Sequence, residues 1–224
     1  MEDVRIIDLK ASVLEDNDAD AALLRKALKE QKTCLINLMS SPGSGKTSTL
    51  LALNQYLSAA MRWGVMEADI DGDVDARTMK SAGVPAVQLH TGGMCHLDAD
   101  MTRQGIRHLE EEAGDLDLIV LENVGNLVCP AEFDTGAAIN MTILSVPEGD
   151  DKPAKYPLMY ETCDVLVINK IDALAVFDFD MDTVRRDARA CNQDIRIFAI
   201  SAKTGEGVEA FAKELIAMIW ERNA

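Results

Sequence analysis

Seven short apolar runs punctuate the chain, and between most of them lie longer stretches whose apolar residues recur every three or four positions. The runs are "TCLINLM" (33–39), "GVMEAD" (64–69), "PAVQLH" (85–90), "LDLIVLEN" (116–123), "MTILSV" (141–146), "CDVLVIN" (163–169) and "IRIFAIS" (195–201). Several are continuously apolar rather than alternating, the pattern of a strand buried on both faces of a parallel sheet. The helical stretches are "KTSTLLALNQYLSAAM", "DADMTRQGIRHLEEEA", "MDTVRRDARACN" and "GVEAFAKELIAMIWERN". Their alternation predicts an α/β fold, a mostly parallel central β-sheet flanked by helices. Ahead of the first strand "DADAALLRKALKEQ" reads as helix, so residues 1–31 are expected as an N-terminal helical extension and 32–224 as the sheet domain.

Composition narrows the function. At 224 residues, 48% hydrophobic and 27% charged, the chain suits one well-buried domain. Its 22 basic and 38 acidic side chains give a formal charge of −16, which argues against nucleic-acid binding, where a basic footprint is needed. The start "MEDVRIIDLKAS" lacks the pattern of a secretion signal, and no apolar run reaches the ~18 residues of a membrane span. Five cysteines without framework spacing fit a reducing compartment, so a cytoplasmic location is expected.

The first strand runs into "SSPGSGKTS" and then a helix, close to the phosphate-binding pattern G-x-x-x-x-G-K-[ST]. Gly43 and Gly45 let backbone N–H groups turn inward around phosphates, Lys46 adds a point charge, and Thr47 offers a hydroxyl to Mg²⁺. Ser44 and Ser48 complete the expected nucleotide-binding loop. Ser40 departs from the pattern, standing where the first glycine usually is. Further on, "NKID" (Asn169, Lys170, Asp172) resembles the N-K-x-D element of GTPases, whose carboxylate accepts two hydrogen bonds from guanine. "SAKTG" thirty residues later resembles the loop that closes over the base, through Ser201, Ala202 and Lys203. A site built on such pairing discriminates strongly, because the wrong base leaves the carboxylate unpaired. Guanine is the expected base.

Asp69 and Glu122, each ending a strand, are candidates for Mg²⁺ and for positioning the attacking water, since ligands gather at strand carboxyl ends. With Lys46 and Thr47 they form the expected catalytic set. Gly125 is placed to follow a γ-phosphate through its backbone N–H. Asp71 and Asp73 in "DIDGDVD" read as a solvated acidic turn, and the segment lacks the glutamate of a calcium loop.

Cys95 and His96 adjoin in "HTGGMCHLDAD" after two glycines. Thiol and imidazole are both ligands for zinc or nickel, provided the backbone turns between them. Cys129 follows another strand, whose carboxyl end is expected near that of the strand before Cys95, and is a third candidate. Three ligands fall short of a closed zinc site, leaving water or a second copy across a two-fold axis to complete the shell. Cys34, Cys163 and Cys191 read as buried small hydrophobes, and His90 and His108 as solvated or capping residues.

Taken together, "SSPGSGKT", "GMCHLDADM", "ENVGNLVCPAEFD", "SVPEGDDKPAKYP", "NKID" and "SAKTGEG" resemble, in order, the HypB family of hydrogenase nickel-incorporation GTPases. The related urease family UreG carries a Cys-Pro-His segment instead. The resemblance implies a P-loop NTPase fold of the SIMIBI type, with residues 32–224 as the GTPase domain. It implies a slow GTPase using GTP and Mg²⁺, a nucleotide-dependent homodimer, and Ni²⁺ or Zn²⁺ bound by Cys95, His96 and Cys129 at the dimer interface. The implied partners are a HypA-like metallochaperone and the large subunit of [NiFe]-hydrogenase. Lys152 and Lys155, solvated surface lysines on the bare sequence, match the family's phosphate-contacting loop. No cysteine or histidine precedes Cys34, so the N-terminal nickel motif of some members is missing from this sequence, and Gly72 stands where a hydroxyl residue is expected. The alternatives are urease-type nickel delivery, a GTP-gated scaffold with a structural zinc, and a P-loop kinase, against which "NKID" and "SAKTG" both argue.

Overall fold

The computed structural model describes residues 9–69, 72 and 74–224, with side chains from residue 14 onward. The acidic-turn reading of Asp71 and Asp73 lies outside these residues. Among the described residues, seven strands form one all-parallel sheet: β1 (Cys34–Ser40), β2 (Trp63–Asp69), β3 (Ala86–His90), β4 (Leu118–Glu122), β5 (Ile139–Ser145), β6 (Val165–Asn169) and β7 (Arg196–Ala199). Their order is β3-β2-β4-β1-β5-β6-β7. Every apolar run in the sequence became a strand. The longer helices are α1 (Leu9–Gln31), α2 (Lys46–Ala60), α3 (Val74–Ser81), α4 (Ala99–Ala113), α8 (Met181–Cys191) and α9 (Val208–Asn223). Three short turns of helix, α5 (Cys129–Glu132), α6 (Lys152–Lys155) and α7 (Pro157–Glu161), complete the set.

Strand side chains alternate between the two faces, and each face is covered by helices. Ile36, Leu38, Val65, Val120, Met141 and Val167 pack with Leu50, Leu53 and Leu57 of α2 and Phe211 and Leu215 of α9. Opposite them, Leu35, Met66, Ile119 and Leu121 meet Leu24 and Leu28 of α1 and Ile106 and Leu109 of α4. Leu166 and Ile168 cover the second half of that face with Val184 and Ala188 of α8. The helix ahead of the first strand is thus built into the core. It ends in a reversed turn at Lys32 (φ 61°), where the N–H of Thr33 reaches the carbonyl of Leu28 at 2.9 Å and the Lys32 N–H that of Lys29 at 3.1 Å. Cys34 and Cys163 are buried as expected, whereas Cys191 is only half-buried, with its thiol 3.8 Å from the Pro153 carbonyl. His108 is exposed beside Glu111, and His90 is exposed at the end of β3.

The parallel arrangement brings the carboxyl ends of all seven strands to one edge. Ser40, Asp69, Glu122 and Asn169 each end a strand there.

Candidate functional site

From β1 the chain turns through residues 41–45 into α2. Gly43 (φ 77°) and Gly45 (φ 99°) take left-handed backbone that a side chain would strain. Ser40, at the position of the missing glycine, is fully buried. Its hydroxyl donates to the Ser41 carbonyl at 2.8 Å and accepts from the Ser44 hydroxyl at 2.6 Å. The departure from the motif is therefore absorbed inside the loop, and the Ser44 side chain serves loop shape. Ser48 is exposed on the first turn of α2.

Glu122 holds both chemical groups of the loop. The Lys46 ammonium lies 3.8 Å from its carboxylate, and the Thr47 hydroxyl donates to its two oxygens at 3.3 and 3.4 Å. Glu122 is 4% exposed, and Glu67 stands level with it on β2. Sequence reasoning passed over Glu67. The available signal was a charged residue inside a buried strand. Burial, then the charge of Glu122, pushes the Glu67 carboxyl up to about 10, so it carries a proton. Burial also raises Glu122, and Lys46 opposes that rise. One oxygen of Glu67 has no hydrogen-bond partner and neither has the buried amide nitrogen of Gln88. Both side chains line a cleft of about 350 Å³ together with Lys46, Asp69, Asp75 and Glu122. The Thr47 hydroxyl on Glu122 and the Asp69 carboxylate across the cleft are oxygen donors, the ligand type Mg²⁺ prefers. Gly72 is close to Asp69, and a Cβ on it would stand 2.6 Å from the Asp69 carboxylate, which would have to shift to make room. Gly125 presses on the loop from the other side, where a Cβ would meet Pro42 at 2.9 Å.

Asn169, at the end of β6, reaches across to the phosphate loop. Its amide donates to the Ser44 carbonyl at 3.1 Å, while its side-chain oxygen accepts from the N–H of Lys170 at 2.7 Å and of Ala202 at 3.1 Å. Lys170, in left-handed conformation, donates to the Gly43 carbonyl at 2.6 Å. Asn169 and Lys170 therefore join the loops, and Asp172 is the residue whose carboxylate faces outward from an exposed turn. Its oxygen accepts from the Ser201 hydroxyl at 2.6 Å, which in turn accepts from the Thr204 N–H at 3.1 Å. Lys203 is exposed beside them.

The thiols belong to the loops after β3 and β4. The Cys95 thiol, followed by burial, raises the Cys129 thiol above its usual range, so the two sulfurs act on each other across the loops. The His96 Nδ1 is 3.7 Å from the Cys95 sulfur, and its ring stacks on Phe133 with centroids 3.7 Å apart. Burial lowers the His96 imidazole, which favours the neutral, ligating form. Asn126 fixes the other loop, accepting from the N–H groups of Val128 and Cys129 and donating toward the Cys129 sulfur at 3.6 Å. Among the described residues no group of three or more thiol, imidazole or carboxylate side chains is placed to hold a metal ion, so a single chain offers Cys95 with the His96 Nδ1 beside it and Cys129 on the loop after β4, short of a complete shell. Lys152 and Lys155 both pair with Asp151, at 3.7 and 2.5 Å, and neither lines the cleft of Lys46.

A glycine loop between a strand and a helix, acidic strand ends beside its lysine, and the Asn169–Lys170 strand end tied to it define a P-loop nucleotide-binding protein. Comparison with known proteins makes this specific. Residues 34–199 match the family described as "CobW/HypB/UreG, nucleotide-binding domain". The hydrogenase maturation factor HypB of Azotobacter vinelandii is 43% identical over 204 residues, 91% of this chain and 67% of that protein. The hydrogenase/urease maturation factor HypB of Helicobacter pylori is 38% identical over 216 residues, 96% and 87% of the two chains. The crystal structure of HypB from Helicobacter pylori in complex with nickel superposes with a TM-score of 0.87 at 37% identity, covering 93% of this chain and 97% of that one. The chain belongs to the CobW/HypB/UreG family, on its HypB branch. It spans about two thirds of the length of its Azotobacter relatives. Among the described residues no helix is long and apolar enough to cross a membrane.

Proposed function

We propose that the chain is a GTP-hydrolysing metallochaperone that binds nickel or zinc through Cys95, His96 and Cys129 and supports nickel insertion into [NiFe]-hydrogenase. One observation carries this reading. The two thiols are neighbours on loops that leave β3 and β4, and β4 ends in Glu122, the residue that holds Lys46 and Thr47. A change at the phosphates therefore has a short path to the sulfur pair. Lys46 and the loop amides bind the phosphates, Asp172 selects guanine, and Thr47, Asp69 and Glu122 hold Mg²⁺, which neutralises phosphate charge during transfer. Nucleotide entry must draw Lys46 and Thr47 away from Glu122. The exposed apolar side chains of Met94 (45%) and Val128 (49%) flank the thiols and favour a second copy as the source of the remaining ligands. A HypA-like protein and the hydrogenase large subunit are the implied partners.

The Helicobacter pylori relative is named for both hydrogenase and urease, which favours delivery to urease as the second reading. The test is equilibrium dialysis with Ni²⁺ and Zn²⁺, with mass by light scattering, in GDP and in a non-hydrolysable GTP analogue. Metal affinity and dimer mass that change with nucleotide, and binding abolished by Cys95→Ala, are expected. Binding that ignores both nucleotide and mutation would overturn the reading. A single metal that never exchanges through the cycle would instead mark a structural zinc.

A further inference from the structure

One buried side chain outside the nucleotide cleft touches both thiol-bearing loops. Asn17 of α1 is 9% exposed and uses both ends of its amide. Its oxygen accepts the Ala99 N–H at 2.9 Å, and its nitrogen donates to the Asp134 carbonyl at 2.9 Å. Ala99 opens α4, four residues beyond Cys95, and Asp134 lies five residues beyond Cys129. The Ala99 amide is a first-turn donor with no partner inside its own helix, and the cap residue Asp98 is occupied by the N–H of Met101 at 2.8 Å. Without Asn17 that donor is orphaned.

The contacts close a ring. From Asn17 it passes to Ala99, back along the chain to His96, across the stacked rings to Phe133, and on to Asp134, whose carbonyl returns to Asn17. Leu97 is fully buried and anchors one side. Arg25, also on α1, braces the other: it donates to both Asp134 carboxylate oxygens at 2.6 and 2.7 Å and to the Ala137 carbonyl at 2.9 Å. Both loops are thus tied to one helix through the Asn17 amide, with Arg25 bracing the second of them and Arg103 of α4 reaching the Asp20 carbonyl of α1 at 3.4 Å.

We propose that Asn17 is a positioning residue for a soft divalent cation held between Cys95 and Cys129, fixing the separation of the two loops. This rests on the metal-binding reading above. Partners behind the ligands typically cost about 10–100-fold in metal affinity when removed, because the ligands then spend binding energy on finding their geometry.

The test is Zn²⁺ and Ni²⁺ affinity of the full chain by chelator competition, with thermal midpoint and GDP affinity measured on the same samples. Asn17→Ala is expected to weaken metal binding by about tenfold or more and to leave GDP affinity unchanged. Asn17→Asp, which keeps the acceptor for Ala99 but loses the donor to Asp134, should also weaken it. A lowered thermal midpoint with unchanged metal affinity would make Asn17 a structural tie and overturn the proposal. If Cys95→Ala binds metal as wild type does, the metal reading itself fails, and this inference with it. Should the Asn17 variants not fold, amide exchange in the wild type decides. By reciprocity Zn²⁺ must slow exchange at Ala99, and an unchanged rate overturns the proposal.

Discussion

A Cβ placed on Gly45 would stand 2.5 Å from the side-chain nitrogen of Asn169. The end of β6 and the phosphate loop are therefore in direct contact, and one amide braces the loop through the Ser44 carbonyl. Asn169→Ala removes that contact and the acceptor for two backbone N–H groups. Each orphaned buried group costs ~1–3 kcal/mol. The expected outcome is a loss of about ten- to hundredfold in affinity, the same for GDP and GDP analogues with another base, because the damage is to phosphate binding. Isothermal titration with GDP and IDP checks this. A loss confined to guanine would show that Asn169 acts on the base.

Asp172 should behave in the opposite way. Its carboxylate is oriented by Ser201 and accepts from the guanine N1–H and exocyclic amine on the proposed reading. Asp172→Asn exchanges one acceptor for a donor, which mismatches guanine and suits xanthine, whose C2 carries a carbonyl. A site built on such pairing rejects the wrong partner by about 10⁴–10⁵ at its best, so a loss of at least a hundredfold for GTP with a gain for XTP is expected. Equal affinities for GTP in wild type and variant would remove Asp172 from base recognition.

The seven strands could be read directly because continuous apolar runs of this length have few other uses, and the glycine loop because its backbone chemistry is local. Helix α3 escaped: eight residues with Ala76 and Met79 buried give no clear period. Glu67 escaped for another reason, since its significance depends on standing level with Glu122 on a strand far away in sequence. Asn17 is the extreme case, bonded to residues 82 and 117 positions away. Adjacent Cys95 and His96 could be singled out from the sequence, and the structure keeps the His96 Nδ1 3.7 Å from the Cys95 sulfur, but the stacking of that ring on Phe133 and the influence of Cys95 on Cys129 depend on packing between distant segments.

The protonated Glu67 predicts how stability of the metal-free, nucleotide-free protein depends on pH. Its carboxyl rises from 4.5 to about 10 on folding, with burial as the main cause. Stability from this group is fully present below about 4.5 and is lost as pH rises toward 10, where the unfolded chain has already released the proton that the fold retains. Glu67→Gln keeps the shape without the titration. The variant should gain thermal midpoint relative to wild type steadily between about pH 5 and 9, approaching one proton's slope of ~1.4 kcal/mol per pH unit. A constant difference across that range would mean that Glu67 is ionised in the fold.

Metal binding should also report protons, at the thiol pair. Only a thiolate ligates, and Cys129 is held above its usual range by Cys95 and by burial, so a metal ion must displace a proton from it. Affinity therefore rises with pH, by about tenfold per unit for each proton released. His96, lowered by burial, is neutral near pH 7 and adds little to the slope above neutrality. Serine cannot ionise in this range. Hence Cys129→Ser should both weaken Zn²⁺ binding and reduce the slope of log Kd against pH by about one proton between pH 6.5 and 8.5, measured by chelator competition. If the variant binds more weakly but keeps the wild-type slope, Cys129 supports the loop without touching the ion, and the second sulfur ligand must be supplied by another chain.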